Sequence, residues 1–344
     1  MKAIVKTERK VGAVSIVDVP KPKPARGQVL IKIKATAICG SDLHAWEYPP
    51  SYEWIRVPGI LGHEYAGIIE EVGEGVNQFK VGDRVMGESN QYCGHCPNCH
   101  RGKTFCCSNN KMTGLAIDGG LAEYIAVSEN YLHYIPENVS FAEAAVAQPC
   151  AVSFHGVFDN SKVRPGDTVV VSGPGIVGLM AAQAAKIMGA SNVIVTGVTM
   201  DEEIRLPIAR KMGFSVINVQ EQDIKKELLA LTGSETIDVA VECSGATQAI
   251  APLLGCIRKG GAMTVLALYG KPVEINFAPL VRSEIHLMTS HTCGWDNYEQ
   301  ALKLISTKQV DIAPLMAVYP FDRGIEAFEN ALAKIVQKPV LILE

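Results

Sequence analysis

One stretch of the chain alternates continuous apolar runs with helix-forming segments. The first run, Asp-Thr-Val-Val-Val-Ser, spans residues 167–172, and comparable runs follow at 192–198, 237–241 and 262–267. Strands without polar alternation must be covered on both faces, and parallel strands need helical crossovers to connect them. The pattern therefore predicts an α/β domain built on a doubly wound parallel sheet.

A glycine-rich turn follows the first of these strands and opens a helix-forming run that extends to Met188. The turn consists of Gly173, Pro174, Gly175, Ile176, Val177 and Gly178. In this context the first glycine permits the turn, the second lets a pyrophosphate approach, and the third lets the helix pack on the strand. We therefore predict a Rossmann-type domain that binds a dinucleotide at these residues.

The end of the second strand carries information about the coenzyme. Folds that prefer NAD have an acidic residue there, about 20 residues after the glycines, whereas this chain has Gly197. A 2′-phosphate would meet no like charge at Gly197, and Thr199 and Arg205 can bind it. Arg205 fits a solvated helix face equally well, and the acidic residues 201–203 oppose a phosphate unless they only favour the helix N-terminus. We expect use of both NAD and NADP, or a preference for NADP.

Ten cysteines are present, and five of them lie between residues 93 and 107. Such close spacing suits a metal better than disulfides. The pattern Cys93-x2-Cys96-x2-Cys99-x7-Cys107 supplies four thiolates, which close a tetrahedron around Zn²⁺ and leave no open position. Cys106 competes with Cys107 as the fourth ligand, and we prefer Cys107. Residues 90–110 therefore form a predicted structural zinc lobe.

The first ~150 residues have the pattern of short strands and turns. Residues 28–39 alternate as in a half-buried strand, residues 64–76 indicate a strand and a glycine turn, and Ser140 to Glu143 is a capping box that opens a helix. Two segments here, Cys39 to His44 and Gly62 to Glu64, supply a thiolate, an imidazole and a carboxylate. These groups can bind Zn²⁺ and leave one coordination position open for substrate. Core residues with no common function would produce the same sequence pattern.

Composition excludes several function classes. With 32 Lys and Arg against 36 Asp and Glu, the chain has no basic footprint for nucleic acid or an anionic membrane. No apolar run approaches the ~18 residues of a membrane span, and charges interrupt the first ten residues too often for a signal peptide. We therefore expect a cytoplasmic protein that binds neither nucleic acid nor membrane.

Several motifs occur together in one order: CGSDLH, GILGHEYAGIIEEVG, VGDRV, the multi-cysteine lobe, GGLAEY and GPGIVG. Nearly end to end, the chain resembles the zinc-containing medium-chain alcohol dehydrogenases, and among them the sorbitol (polyol) dehydrogenase-like branch. The resemblance implies a mostly-β, GroES-like catalytic domain over residues 1–150 and 290–344. A Rossmann domain over residues 151–289 is inserted in it.

The resemblance also implies roles for individual residues. Cys39 and His63 would be ligands of a catalytic zinc, and Glu64 would lie beside the metal as a ligand or as a partner of its water. Asp42 would orient the zinc-bound histidine, Ser41 would take the substrate proton, and His44 would pass it to solvent. Apart from the resemblance, Trp46, Tyr48 and Trp54 follow Cys39 closely and are expected to wall the substrate pocket, although ordinary packing would explain them equally well. Leu266 and Leu268 are expected to contact the coenzyme.

One position departs from the polyol branch. The branch commonly has Glu-Pro-Leu where this chain has Gln148-Pro149-Cys150. Gln148 is neutral and therefore a weaker metal ligand than a carboxylate, although some sugar dehydrogenases of the superfamily resemble this chain in having Gln there. Cys150 is a rival ligand or a core thiol.

Together these features predict a zinc-dependent oxidoreductase that transfers a hydride between NAD or NADP and a polyol, sugar or sugar-alcohol phosphate. Two zinc ions per chain, one catalytic and one structural, and a homodimer or homotetramer are expected. An L-threonine 3-dehydrogenase and a simple secondary-alcohol dehydrogenase are alternatives within the enzyme class. A non-catalytic NAD(P)-binding protein is the alternative from another class.

Overall fold

The computed structural model describes residues 1–344 and divides into two compact units. Unit 1 consists of Met1–Gln148 and Gly294–Glu344, and unit 2 consists of Pro149–Cys293. The borders expected from the sequence lie after residues 150 and 289.

Unit 1 is mostly β. Its strands before the insertion are β1 Lys2–Lys6, β2 Val14–Asp18, β3 Gln28–Ala37, β4 Gly59–Ile60, β5 Glu64–Val72, β6 Arg84–Gly87, β7 Asn90–Gln91, β8 Lys111–Met112, β9 Tyr124–Ser128 and β10 Leu132–Tyr134. Its helices there are α1 Gly40–Glu47, α2 Pro97–His100 and α3 Phe141–Phe154, of which α3 continues past the unit border. The predicted capping box begins α3, since Ser140 and Glu143 each accept the other's backbone N–H.

Unit 2 alternates strands and helices. Its elements are β11 Thr168–Ser172, α4 Ile176–Ile187, β12 Asn192–Gly197, α5 Arg205–Lys211, β13 Ser215–Asn218, α6 Ile224–Thr232, β14 Ile237–Glu242, α7 Ile250–Leu254, β15 Ile257–Val265, α8 Phe277–Arg282 and β16 His286–Thr289. All strand pairs are parallel, in the order β13-β12-β11-β14-β15-β16. This order confirms the predicted Rossmann-type sheet, and it places the topological switch point between β11 and β14.

The chain then returns to unit 1 with α9 Trp295–Ser306, β17 Met316–Pro320, α10 Gly324–Leu332 and β18 Lys338–Ile342. β18 joins the seven-stranded sheet of unit 1, whose path is β10-β6-β5-β3-β18-β17, with β9 also paired to β3. β3 is thus the central strand, and its side chains Ile31 and Ile33 are fully buried in the unit's core.

One helix begins later than expected. The residues after the second apolar run predict a helical stretch from Asp201 to Met212, but residues 199–201 form a short 3₁₀ turn and α5 starts at Arg205. The carboxylate of Asp201 accepts the backbone N–H of Val198 at 3.1 Å, which caps the turn and separates it from α5. No helix in the structure combines the length and the apolar character that crossing a membrane requires.

Candidate metal centres and coenzyme turn

Strand register gathers the first metal-binding group. β3 pairs with β5 so that Ala37 lies opposite Glu64. Cys39 follows the end of β3 by two residues, and His63 directly precedes the start of β5. Because β3 and β5 are antiparallel, both residues lie at the same end of this strand pair. Ligand atoms of Cys39, His63 and Glu64 all lie within 4.8 Å of one another.

These three side chains fit a zinc ion. The side chains of His63 and Glu64 are almost fully buried, and Nδ1 of His63 has no hydrogen-bond partner although it is buried. A buried polar nitrogen without a partner is unfavourable unless something else binds it. A thiolate, an imidazole and a carboxylate are ordinary zinc donors, and three protein ligands leave a position open for substrate.

Asp42 holds the backbone rather than the histidine ring. The sequence-based expectation was that its carboxylate orients His63. Instead, Oδ2 accepts the N–H of Cys39 at 2.9 Å and Oδ1 accepts the N–H of Gly62 at 3.1 Å. Asp42 is fully buried, so these two bonds satisfy its carboxylate and fix the two segments that carry Cys39 and His63. Asp42 therefore holds the backbone next to Cys39 and His63.

Lys338, a buried lysine on β18, contacts Glu64 of this metal-binding group. β18 pairs with β3 with Val340 opposite Ala37, which brings Lys338 to this edge of the sheet. Its Nζ lies 2.6 Å from Oε1 and 2.5 Å from Oε2 of Glu64, and it donates to the carbonyl of Ile38 at 3.0 Å. Burial raises the pKa of Glu64 to about 8, and Lys338 opposes that rise. Burial lowers the pKa of Lys338, but the charge and hydrogen bond of Glu64, together with the charges of Cys39 and Asp42, raise that pKa above its ordinary value.

Lys338 is absent from the site predicted by the sequence. The available signal was a charged residue two positions before the apolar run 340–343. Such a residue is usually a solvated strand end, so only the pairing of β18 with β3 shows its function.

Ser41 and His44 lie on α1, directly after Cys39. Oγ of Ser41 is buried and has no hydrogen-bond partner, whereas the side chain of His44 is 57% exposed. Residues three apart share one face of a helix, so Ser41 and His44 present a buried hydroxyl and an exposed imidazole on the same side of α1. Nδ1 of His44 lies 3.1 Å from Oε2 of Glu47, and its ring lies 5.4 Å from the ring of Tyr52.

Two of the expected pocket-wall residues have other partners. The ring of Trp46 stacks on Phe328 at 5.7 Å, within the core of unit 1. The hydroxyl of Tyr48 accepts a hydrogen bond from Arg9 at 2.8 Å. Trp54 is 56% exposed and packs near Tyr52.

The cysteine lobe also gathers its predicted ligands. The sulfurs of Cys93, Cys96, Cys99 and Cys107 lie within 4.8 Å of one another, and neighbouring pairs are 3.5, 3.6 and 4.0 Å apart. A tetrahedron with Zn–S bonds of about 2.3 Å has edges of about 3.8 Å, so the spacing fits zinc. Cys106 is exposed and lies outside this group.

Backbone N–H groups prepare this lobe for metal. Those of Cys93 and Asn109 both donate to Sγ of Cys107 at 3.3 Å. The N–H groups of Cys99 and Ser108 lower the pKa of Cys96 to about 5, whereas burial raises the pKa of Cys99 to about 12. The thiolate is the metal-binding form, so the bonds to Cys96 favour ligation.

Gln148 is buried in the middle of α3, and its Nε2 donates to Oγ of Ser89 at 3.2 Å. That oxygen also lies 3.1 Å from the hydroxyl of Tyr298, so the amide belongs to a buried polar network of unit 1. Cys150 is fully buried in unit 2 and lies outside both metal-binding groups.

The glycine turn of unit 2 has the space that its sequence predicts. Gly173 has a φ of +98°, and a Cβ there would lie 2.8 Å from Cα of Ser244. A Cβ on Gly178 would lie 1.9 Å from the carbonyl oxygen of Gly173, so the helix could not pack so closely on the turn. A Cβ on Gly175 would meet nothing within 4 Å, which leaves open space for a ligand at the start of α4.

The loop after β14 supports this turn and was not among the predicted residues. Glu242 is fully buried, and its carboxylate accepts hydrogen bonds from the N–H of Ser244 at 2.7 Å and from the hydroxyl of Tyr269. Ser244 in turn lies against Gly173. Glu242 therefore fixes the two loops at the switch point. Farther along, Leu266 packs on Gly156, and Leu268 is 78% exposed.

Of the residues expected at the adenosine ribose, Gly197 and Arg205 both lie close to Asp201. A Cβ on Gly197 would lie 3.1 Å from Oδ2 of Asp201, whose Oδ1 lies 3.5 Å from Nη1 of Arg205. The Arg205 side chain is only 24% exposed and its Nε is buried without a partner, so it does not lie on a solvated helix face. The hydroxyl of Thr199 donates to Glu221 at 3.1 Å.

Comparisons with known proteins agree with this geometry. Residues 25–137 match the alcohol dehydrogenase GroES-like domain, and residues 177–307 match the zinc-binding dehydrogenase domain. A sorbitol dehydrogenase from Halalkalibacterium halodurans is 37% identical over 99% of this chain and 100% of its own length. The chain belongs to the zinc-containing medium-chain alcohol dehydrogenases. As a member of that family it is an NAD(P)-dependent zinc alcohol or polyol dehydrogenase.

Other relatives of this dehydrogenase differ in substrate and coenzyme. An L-threonine 3-dehydrogenase from Shewanella putrefaciens is 34% identical over 95% of the chain and 96% of its own length. A zinc-binding dehydrogenase from Sinorhizobium meliloti, bound to NADP, superposes with a TM-score of 0.90 at 27% identity, covering 99% of both chains. An alcohol dehydrogenase from Escherichia coli CFT073, complexed with NADH, superposes with a TM-score of 0.90 at 25% identity. The match covers 100% of this chain and 99% of that protein.

Proposed function

We propose that this dehydrogenase oxidises a secondary carbinol of a polyol, a sugar or a sugar-alcohol phosphate to the carbonyl. The observation that carries the proposal is the convergence of Cys39, His63 and Glu64 at one edge of the unit 1 sheet. The 37% identity to a sorbitol dehydrogenase supports the polyol class.

In this proposal Cys39 and His63 hold the catalytic zinc, with Glu64 beside it. Zinc supplies Lewis-acid character that makes a carbinol proton easier to remove, and NAD(P) accepts the hydride. Oγ of Ser41, which has no protein partner, takes the proton, and the exposed imidazole of His44 carries it to solvent. Asp42 fixes the backbone around the ligands, and Lys338 keeps the carboxylate of Glu64 paired.

We assign the second, structural zinc to the four thiolates of the cysteine lobe. Gln148 stays a candidate for a further metal contact through its amide oxygen, because its nitrogen is turned to Ser89.

The proposed coenzyme site combines the glycine turn 173–178 with Gly197, Thr199, Arg205, Leu266 and Leu268. No carboxylate extends from position 197, and Arg205 lies close by, which supports use of NADP beside NAD. The NADP and NADH bound to two structural neighbours are compatible with either coenzyme.

The test is a substrate panel with purified, zinc-supplemented enzyme and both coenzymes. The panel contains D-sorbitol, xylitol, D-sorbitol 6-phosphate, L-threonine and 2-butanol, and zinc is counted by elemental analysis. We expect two zinc ions per chain and the highest kcat/KM on a polyol, and Cys39→Ser should abolish turnover. A higher kcat/KM on L-threonine would favour the alternative that the 34% identical relative suggests. No turnover on any substrate would favour a non-catalytic NAD(P)-binding protein.

We further propose that two copies of the chain associate through unit 2. β16 is an edge strand of its sheet, and Leu287, Phe277 and Val281 near it are 37%, 58% and 72% exposed. An unpaired edge strand with apolar neighbours is a template for a second copy. Light scattering should show a dimer or a tetramer, and Leu287→Lys should shift it toward monomer. A wild-type monomer would contradict this assignment.

A cytoplasmic location is proposed as well. Cys39 and the four cysteines of the zinc lobe form no disulfide, and cytosolic conditions keep such thiols reduced.

A further inference from the structure

The aromatic segment between α1 and β4, residues 48–54, is held in one conformation. Tyr48 ends α1 with a φ of 48°, and Pro49 and Pro50 lead into a 3₁₀ turn over Pro50–Tyr52. Nη1 of Arg9 lies 2.8 Å from both the Tyr48 hydroxyl and the carbonyl oxygen of Glu53, so one guanidinium joins the two ends of the segment. Side chains on this segment therefore have defined directions.

Tyr52 is the residue of this segment whose ring lies beside His44. Its ring centroid is 5.4 Å from that of His44 and 6.1 Å from that of Trp54, and it packs against the core of unit 1. Its backbone is already satisfied, because its N–H donates to Pro49 and its carbonyl accepts from Ile55. Burial, together with the nearby Cys39 and Asp42, raises the pKa of Tyr52, so its hydroxyl keeps its proton.

The hydroxyl of Tyr52 differs from those of neighbouring tyrosines. The Tyr48 hydroxyl accepts from Arg9, and the Tyr131 hydroxyl donates to the carbonyl of Tyr92. The Tyr52 hydroxyl has no protein partner, while its ring lies against the imidazole that we place on the proton path. A protonated phenol with no bond of its own is a donor available to a ligand at the centre.

A polyol presents a second hydroxyl next to the carbon that is oxidised, and a simple alcohol does not. That hydroxyl loses water when it enters the site and needs a hydrogen-bond partner there. We propose that the Tyr52 hydroxyl binds this second hydroxyl group and thereby makes the enzyme prefer vicinal diols to simple secondary alcohols. The inference rests on the proposed function and adds a specificity-determining residue to it.

The test compares 2,3-butanediol with 2-butanol, which share a carbon skeleton and differ by one hydroxyl. Tyr52→Phe removes the donor and keeps the ring beside His44. We expect kcat/KM for 2,3-butanediol to fall about three- to tenfold, the range of one neutral hydrogen bond, mainly through KM. For 2-butanol it should stay within about twofold of the parent. Tyr319→Phe, whose hydroxyl accepts from Asn330 on the β17 side of unit 1, is the matched control and should change neither value.

Three results would overturn the inference in distinguishable ways. An equal loss on both alcohols in Tyr52→Phe would mean that Tyr52 acts on the chemical step. An unchanged kcat/KM for both alcohols in Tyr52→Phe would mean that another group binds the second hydroxyl. If the parent enzyme, with two zinc ions bound, oxidises neither alcohol and none of the polyols, the proposed function itself fails. Tyr52→Leu tests the ring separately from the hydroxyl, because it removes the ring that lies beside His44. Only this variant should alter the pH profile of kcat, through His44.

Discussion

The ammonium group of Lys338 and the carboxylate of Glu64 form a buried pair, with Nζ 2.6 Å from Oε1 and 2.5 Å from Oε2. Their side chains are only 2% and 0% exposed. A carboxylate beside a zinc position would otherwise be a strong ligand, so Lys338 limits how much negative charge Glu64 offers the metal. The pair therefore links β18, near the C-terminus, to the centre that β3 and β5 build.

Lys338→Met should destabilise the enzyme, because Glu64 loses its ion-pair partner and must either keep an unpaired buried charge or take up a proton. The expected loss in the free energy of unfolding is at most about 3–5 kcal/mol, the range for a broken buried ion pair, and proton uptake by Glu64 makes it smaller at neutral pH than at high pH. Urea unfolding of the apoenzyme measures it. The double variant Glu64→Gln/Lys338→Met should recover most of the loss, and exposed Lys303→Met is the control. A Lys338→Met variant as stable as the control would show that the pair contributes nothing.

Local features of this site could be predicted from the sequence, and features that depend on pairing could not. The cysteine lobe and the glycine turn each occupy a short segment, so spacing alone indicated their geometry. Cys39 and His63 meet only because Ala37 pairs with Glu64, and the resemblance to a family was needed to connect them. Lys338 is 274 residues from Glu64, and no periodicity relates the two.

Side-chain partners were also beyond the sequence. Asp42 was expected to bind the His63 ring, but its carboxylate accepts two backbone N–H groups instead. The residue type alone does not indicate which donors an aspartate meets. Tyr52 looks like any surface aromatic until its ring is placed beside His44.

Cys96→Ser should remove the structural zinc and leave the catalytic one. The zinc content should fall from two ions to one per chain, with a loss in stability of more than about 4 kcal/mol, as for other losses of a bound metal. Elemental analysis and urea unfolding measure the two effects. Cys106→Ser is the matched control, because Cys106 is exposed and outside the group. A Cys106→Ser variant that loses zinc instead would reassign the fourth ligand.

A buried histidine should make stability depend on pH. Nδ1 of His133 lies 2.6 Å from Glu299 and Nε2 lies 3.3 Å from Glu88. Burial would lower the pKa of His133, but these two carboxylates outweigh it and raise that pKa, and burial raises the pKa of Glu88. Tyr298 and Trp295 on α9 pack on the ring, and Tyr65, Tyr92 and Tyr131 are the other titratable groups near Glu88.

The sign of the effect follows from these directions. A raised pKa in the folded state gives a contribution that is complete below the unfolded pKa and is lost as the pH rises through the folded one. For His133 the loss begins near its ordinary pKa of about 6.5, and the raised pKa of Glu88 acts in the same direction. Thermal unfolding between about pH 6 and pH 9 should therefore show a steeper decline in Tm for the parent than for Glu88→Gln/His133→Gln. Parallel curves would mean that this cluster does not titrate in that range.

The last prediction concerns Arg205 and the coenzyme. A guanidinium that binds the 2′-phosphate makes charge-assisted hydrogen bonds of about 1.5–3 kcal/mol, so Arg205→Gln should lower kcat/KM for NADP about tenfold or more. The value for NAD should change little, since NAD has a hydroxyl at that position. Arg210→Gln is the matched control on the same helix, because Arg210 is paired with Glu202.

Gly197→Asp should raise the ratio of NAD to NADP efficiency, mainly through KM, since the change lies far from the hydride. Its Cβ would lie 2.9 Å from Cδ2 of Leu206, which must shift, and 3.1 Å from Oδ2 of Asp201, so the two carboxylates would repel each other. Combining it with Asp201→Asn should relieve that repulsion and increase the shift. Kinetics with both coenzymes at one saturating substrate concentration measure all four variants. A parent enzyme that strongly prefers NAD, with a ratio that none of the variants changes, would show that other residues bind the adenosine ribose.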